Sequence, residues 1–179
     1  MNRSMKLAFC GMTTALSVVL VFLTGIIPIG EYVLPTAAGI LLVAVVAELG
    51  PRWAWSVYLA VTLLSALLAP DKEAVLCYIL LFGCYPILKL LIEKRAGKVA
   101  AVLLKLAVFN AAAVLEFLLT VALLHVPQDS FEIFGVNLPW VFLLAWNVVF
   151  LVYDYALSLL VTAYFKKFHF EVKKLFHMR

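Results

Sequence analysis

The sequence predicts an all-α polytopic membrane protein, a six-transmembrane-helix bundle with its N- and C-termini in the cytoplasm. Three observations carry that reading. Hydrophobic residues make up 66% of the chain and charged residues only 13%, where a soluble domain carries about twice that charged fraction. Mean hydropathy is +1.12, and several apolar runs approach the ~20 residues needed to cross a bilayer. The basic residues also fall on alternate sides of those runs.

The spans follow from the breaks between them. The first is expected over residues 6–27, ending at Pro28-Ile29-Gly30, a turn signal. Arg3 and Lys6 precede it as in a secretory leader, but the apolar stretch exceeds the usual ~7–15 residues and no A-x-A site follows, so it reads as a retained helix. The second, 33–49, is rich in small residues and is broken by Gly50-Pro51, with Arg52 directly after. The third, 53–69, stops at Pro70-Asp71-Lys72-Glu73, a compact charged loop. The fourth, 74–92, contains Pro86, which removes one backbone donor and predicts a kink. Glu93 to Lys98 forms the next loop, and the fifth span covers 99–124. A longer loop leads to the sixth, 140–165, and residues 166–179 form a basic tail.

Orientation comes from the lysines and arginines. In the six-span arrangement Arg3, Lys6, Arg52, Lys89, Lys94, Arg95, Lys98, Lys105, Lys166, Lys167, Lys173, Lys174 and Arg179 share one side, and only Lys72 lies on the other. Basic residues favour the cytoplasmic side, which places both termini there in a multi-pass protein of the plasma membrane. The tail interleaves lysines with Phe168, Phe170 and Phe176, a pattern of topology-setting charge and interfacial anchors on the lipid bilayer. The net charge of +4 therefore needs no nucleic acid.

Little in the chain suggests catalysis. It holds no phosphate-binding glycine loop, no zinc constellation and no nucleophile–histidine pair, so neither an enzyme, a metal site nor a cofactor is expected. Cys10, Cys77 and Cys84 lie in apolar runs without ligand spacing and read as packing residues. His125, His169 and His177 fall at a span end or in the tail.

The informative residues are polar groups inside the fifth and sixth spans, because ionisable side chains at membrane depth are costly and usually face a partner or a cavity. Asn110 and Glu116 lie in the fifth span, Asn147 and Asp154 in the sixth, the last two seven residues apart on one face. Glu116 and Asn147 are expected at similar depth, flanked by Trp146, in a pocket open to the outside and suited to a small organic ligand. Glu31 and Tyr32, between the first two spans, are candidates to cap it. Two alternatives stay open: Asn147 as a hydrogen bond across a helix interface, and Asp154 paired with Lys105.

On the first span Ala8, Gly11 and Ala15 set small side chains along one stripe, where another helix can approach closely. With the segments Leu7–Ser17 and Leu34–Leu41 and the Gly50-Pro51-Arg52 turn, the layout resembles a substrate-binding S component of the energy-coupling factor (ECF) vitamin transporters. The resemblance implies a subunit that captures a small micronutrient outside and works with a membrane coupling subunit and cytoplasmic ATPases. It also implies that Ala8, Gly11 and Ala15 dock the coupling subunit, although Met12 interrupts the alanine pattern of the family. The ligand site would be formed by the loop after the first helix and the last three helices, where Glu31, Tyr32, Glu116, Trp146 and Asn147 fall. The competing reading is a membrane assembly or scaffold protein of the cell-shape or envelope machinery, without a ligand.

Overall fold

A computed structural model of the chain describes residues 2–27, 30–124, 132–133, 136–137 and 139–164. These form α1 (Arg3–Leu23), α2 (Val33–Leu49), α3 (Pro51–Leu68), α4 (Lys72–Cys77), a π-helical turn (Tyr78–Phe82), α5 (Tyr85–Arg95), α6 (Lys98–Leu124) and α7 (Pro139–Ala163). The only pairing of strands among the described residues is β1 (Glu132–Ile133) against β2 (Val136–Asn137), antiparallel, with Glu132 opposite Asn137. The expected Pro28-Ile29 turn, the basic tail 166–179 and the three histidines lie outside the described residues.

Four helical segments are long and apolar enough to cross a membrane: Arg3–Leu23, Lys72–Arg95, Lys98–Ala122 and Leu143–Ala163. The other two rods are shorter. α2 has 17 residues and α3 has 18, which at 1.5 Å per residue reach about 26 and 27 Å, short of a hydrocarbon core of about 30 Å. They are joined almost without a loop. Gly50 ends α2 at φ 85°, a conformation that a side chain disfavours. Pro51 then opens α3 at a position where its missing N–H costs nothing.

The first helix buries Cys10, Thr13, Ser17 and Val21, one face at i, i+3, i+7 and i+11. Ala8, Gly11 and Ala15 lie on the exposed side, and nothing approaches within 4 Å of where a Cβ on Gly11 would stand. α2 is apolar on every face because it is surrounded. It contributes Ala38, Leu42 and Val45 to a core with α1 and α3, and Val43 to a second core with Phe82, Tyr85, Phe109, Phe150 and Leu157.

The rod from Lys72 to Arg95 departs from the simple kink expected at Pro86. Its start is capped by Asp71, which accepts from the Ala74 amide at 3.1 Å. It then widens into the π turn, closed by the Gly83 amide donating to the Tyr78 carbonyl at 2.7 Å. A fresh helix begins at Tyr85, so Pro86 sits in a first turn rather than mid-helix. The carbonyl four residues before Pro86 belongs to Phe82 and loses its regular helical donor. That carbonyl is covered by Gly39 of α2, so closely that a Cβ there would clash with the Phe82 backbone.

The two ends of the bundle are held by different contacts. At one end Lys6 lies over the Trp53 ring, 6.0 Å from its centroid, and Tyr164 donates to Glu48 at 2.9 Å, bringing together the start of α1, the α2–α3 joint and the end of α7. At the other end Gly25 packs on Pro70, and Lys72 satisfies the last carbonyls of α3, donating to Ala66 and Ala69 at 3.0 and 2.9 Å.

The Gly39–Phe82 approach makes a paired test. Gly39→Ala is expected to lower stability by about 2 kcal/mol through overpacking against backbone. Gly11→Ala, on the open face, should stay within about 0.5 kcal/mol of the parent. Thermal denaturation of purified protein in one detergent compares the two.

Candidate functional site

Along α6 and α7 the polar side chains form three tiers. The first lies near the basic end, where Lys89 of α5, Lys105 of α6 and Asp154 of α7 converge. Lys105 Nζ donates to Asp154 Oδ2 at 2.7 Å and to Glu93 Oε1 at 3.0 Å. Lys89 Nζ pairs with Asp154 Oδ1 and, at 3.0 Å, with Glu93 Oε1. The Tyr85 hydroxyl completes the set, donating to Asp154 Oδ1 at 2.5 Å. Both lysines are only 5% exposed, yet two cations face two carboxylates and the cluster is neutral. Burial of charge is tolerable only with such complete pairing.

The second tier is reached through an aromatic layer, in which Phe109 stacks on Phe150 with centroids 4.2 Å apart and Tyr85 meets Phe150 edge-on at 5.0 Å. Beyond it Asn110 and Asn147 exchange two hydrogen bonds. Asn110 Nδ2 donates to Asn147 Oδ1 at 2.8 Å, and Asn147 Nδ2 returns a bond to Asn110 Oδ1 at 2.9 Å. Each amide gives its other N–H to its own helix, at Leu106 O and Leu143 O, both 2.8 Å. All four amide protons are used, so this pair is a closed clamp between α6 and α7.

The third tier holds the remaining candidates. Tyr32, at the start of α2, meets Trp146 of α7 edge-on with centroids 5.2 Å apart. Glu116 of α6 lies within hydrogen-bonding reach of the Cys77 thiol. Desolvation, then the nearby carboxylates Glu116, Glu73 and Glu31, pushes the Tyr32 phenol up to about 12, so it stays a neutral donor near pH 7. Glu116 makes no ion pair among the described residues.

The expected site residues therefore divide. Tyr32, Trp146 and Glu116 gather at one end with Glu31 nearby, whereas Asn147 turns to Asn110 rather than to Glu116. Asp154 does pair with Lys105. Lys89, Glu93 and Tyr85 were not anticipated there, since Lys89 reads in sequence as one more topology-setting lysine. The signal that points to it is the stripe Tyr85, Lys89, Glu93 at i, i+4 and i+8 on one helix.

Alongside the aromatic layer, and reaching from Tyr85 to Trp146, an apolar cleft lined also by Phe82, Phe109, Phe150 and Tyr153 leaves about 30 Å³ free, room for a water or two. Among the described residues no group of three His, Cys, Asp or Glu side chains is placed to hold a metal ion. No family model, curated protein or solved structure matches this chain.

Charge balance in the first tier makes a double-substitution test. Asp154→Asn leaves two buried lysines facing Glu93 and is expected to cost about 3–5 kcal/mol. Adding Lys105→Met restores neutrality, so the pair should cost clearly less than the sum of the singles. Additive losses in a thermal-denaturation cycle would show that the four charges act separately.

Proposed function

We propose that this chain is the membrane-embedded, ligand-capturing subunit of an ECF-type importer, with six spans, both termini in the cytoplasm of a plasma-membrane protein, and a small micronutrient as ligand. The observation that carries the reading is the third tier: the α1–α2 connection reaches α7 through Tyr32 and Trp146, beside a carboxylate on α6 that makes no ion pair among the described residues. This is where the resemblance puts a ligand pocket. The exposed stripe Ala8, Gly11 and Ala15 supports the reading from the other side, as a surface where a coupling subunit's helix fits closely. Such a subunit supplies recognition only, and partner ATPases supply the energy.

A scaffold role in envelope or cell-shape machinery is favoured by one specific observation. Asn147 and Asp154, two of the polar residues most suggestive of a site, are both satisfied inside the bundle. The two readings separate in one experiment. Tagged protein is purified from its own membranes in mild detergent, and mass spectrometry identifies co-purifying proteins and retained metabolites. A coupling subunit with ATPases is the expected result; envelope proteins with neither ATPases nor a metabolite would favour the scaffold.

For a metabolite so identified, Glu116→Gln should weaken binding about 10- to 100-fold, the effect of removing a charged hydrogen-bond acceptor. Trp146→Ala should weaken it as well. Titration calorimetry on the purified variants reads both, and unchanged affinity in Glu116→Gln would remove this carboxylate from the site.

A further inference from the structure

The turn between α5 and α6 carries an open cavity of about 250 Å³ lined by Glu93, Ala96, Lys98, Ala101 and Lys105. We propose that it receives the phosphate group of an anionic phospholipid. The argument begins with charge. Glu93 and Lys105 belong to the neutral first tier, where two lysines and two carboxylates cancel. Lys98 on the rim, and Lys94 and Arg95 beside it, are exposed and make no ion pair among the described residues. One uncompensated cation, Lys98, therefore lines a cavity whose own carboxylate is already neutralised, and two more, Lys94 and Arg95, stand next in sequence to its lining residues Glu93 and Ala96.

Helix electrostatics sharpen the point. Lys98 is the first residue of the 27-residue α6, where the helix dipole is positive and disfavours a cation. A helix N-terminus favours an anion in its own right, so lysine and backbone ask for the same charge. Neither packing nor helix stability accounts for a lysine there.

Location selects the lipid as the carrier of the phosphate. The cavity sits where two membrane-length segments, Lys72–Arg95 and Lys98–Ala122, meet, so it lies at the level of the headgroups. The flanking surface is apolar, with Val99, Val102 and Leu103 exposed, and suits acyl chains. A basic pocket between transmembrane helices at the headgroup level is a recognised setting for acidic lipids.

The test uses the full chain reconstituted in nanodiscs of equal parts phosphatidylglycerol and phosphatidylcholine, released and weighed by native mass spectrometry. Phosphatidylglycerol should be retained preferentially. Lys98→Gln should reduce that retention about fivefold, and Lys94→Gln with Arg95→Gln should reduce it further. Arg3→Gln with Lys6→Gln, which removes charge at the same end but away from the cavity, should leave it unchanged. Circular dichroism confirms that each variant is folded. Equal retention of both lipids, or an undiminished preference in Lys98→Gln, would overturn the proposal. So would displacement of the lipid by millimolar inorganic phosphate, which would identify a site for the free anion instead.

Discussion

The neutral cluster of Lys89, Glu93, Lys105 and Asp154 is the interaction on which the rest of the bundle depends. Lipid tails are as apolar as leucine, so no hydrophobic effect presses membrane helices together, and packing with hydrogen bonds must do it. α6 and α7 turn most of their surface outward: Leu103, Leu118, Leu144 and Val152 are all well exposed. What ties these two helices to α5 is the salt-bridged tier at one end, with the Phe109–Phe150 stack and the Asn110–Asn147 clamp following along the same faces. The cluster stabilises only when complete. With one partner gone, a bare charge stays buried, which is why four ionisable residues behave as one element.

A second constraint acts on the other half. Pro86 removes the donor that the Phe82 carbonyl would have used, and the chain responds in two ways: it widens into a π turn and restarts the helix at Tyr85. The exposed carbonyl then needs a neighbour that approaches at backbone distance. Gly39 provides it, and through that approach α2 is locked between the two hydrophobic cores. A shortened α2 follows from its position. Enclosed by α1, α3 and the π turn, it meets protein rather than lipid and is free of the length a lipid-facing span requires.

Composition and periodicity made the helical rods legible in the sequence, because apolar runs and Gly-Pro breaks are local signals. Depth along a helix was legible to within a turn or so, enough to expect Asp154 beside Lys105. Rotation was not. Whether Lys89 faces headgroups or the bundle interior depends on how α5 leaves the π turn, and an i→i+5 hydrogen bond has no sequence signature as plain as proline's. The same ignorance of rotation separated Asn147 from its partner. Glu116 and Asn110 lie six residues apart on α6, more than one and a half turns, and only the crossing of α6 with α7 decides which of them Asn147 meets. Tyr32 stands against Trp146, and the short connection between the first two helices leaves that residue few other positions.

The three tiers also differ in how firmly they hold the helices, and the difference has a direction. At the basic end α5, α6 and α7 share three ionic contacts and a tyrosine hydrogen bond; at mid-depth α6 and α7 share two amide hydrogen bonds. At the Tyr32 end the ties given by the described residues are a thiol beside a carboxylate and one edge-on aromatic contact. Each of those is weak, an aromatic pair contributing about 0.5–1.5 kcal/mol beyond its burial. Among the described residues α7 is therefore tied to its neighbours least firmly at that end, and the Asn clamp sets the depth beyond which its separation from α6 becomes expensive. The proposed site of Tyr32, Trp146 and Glu116 therefore falls where the described residues tie the helices least, while the charges that maintain the fold lie at the opposite end.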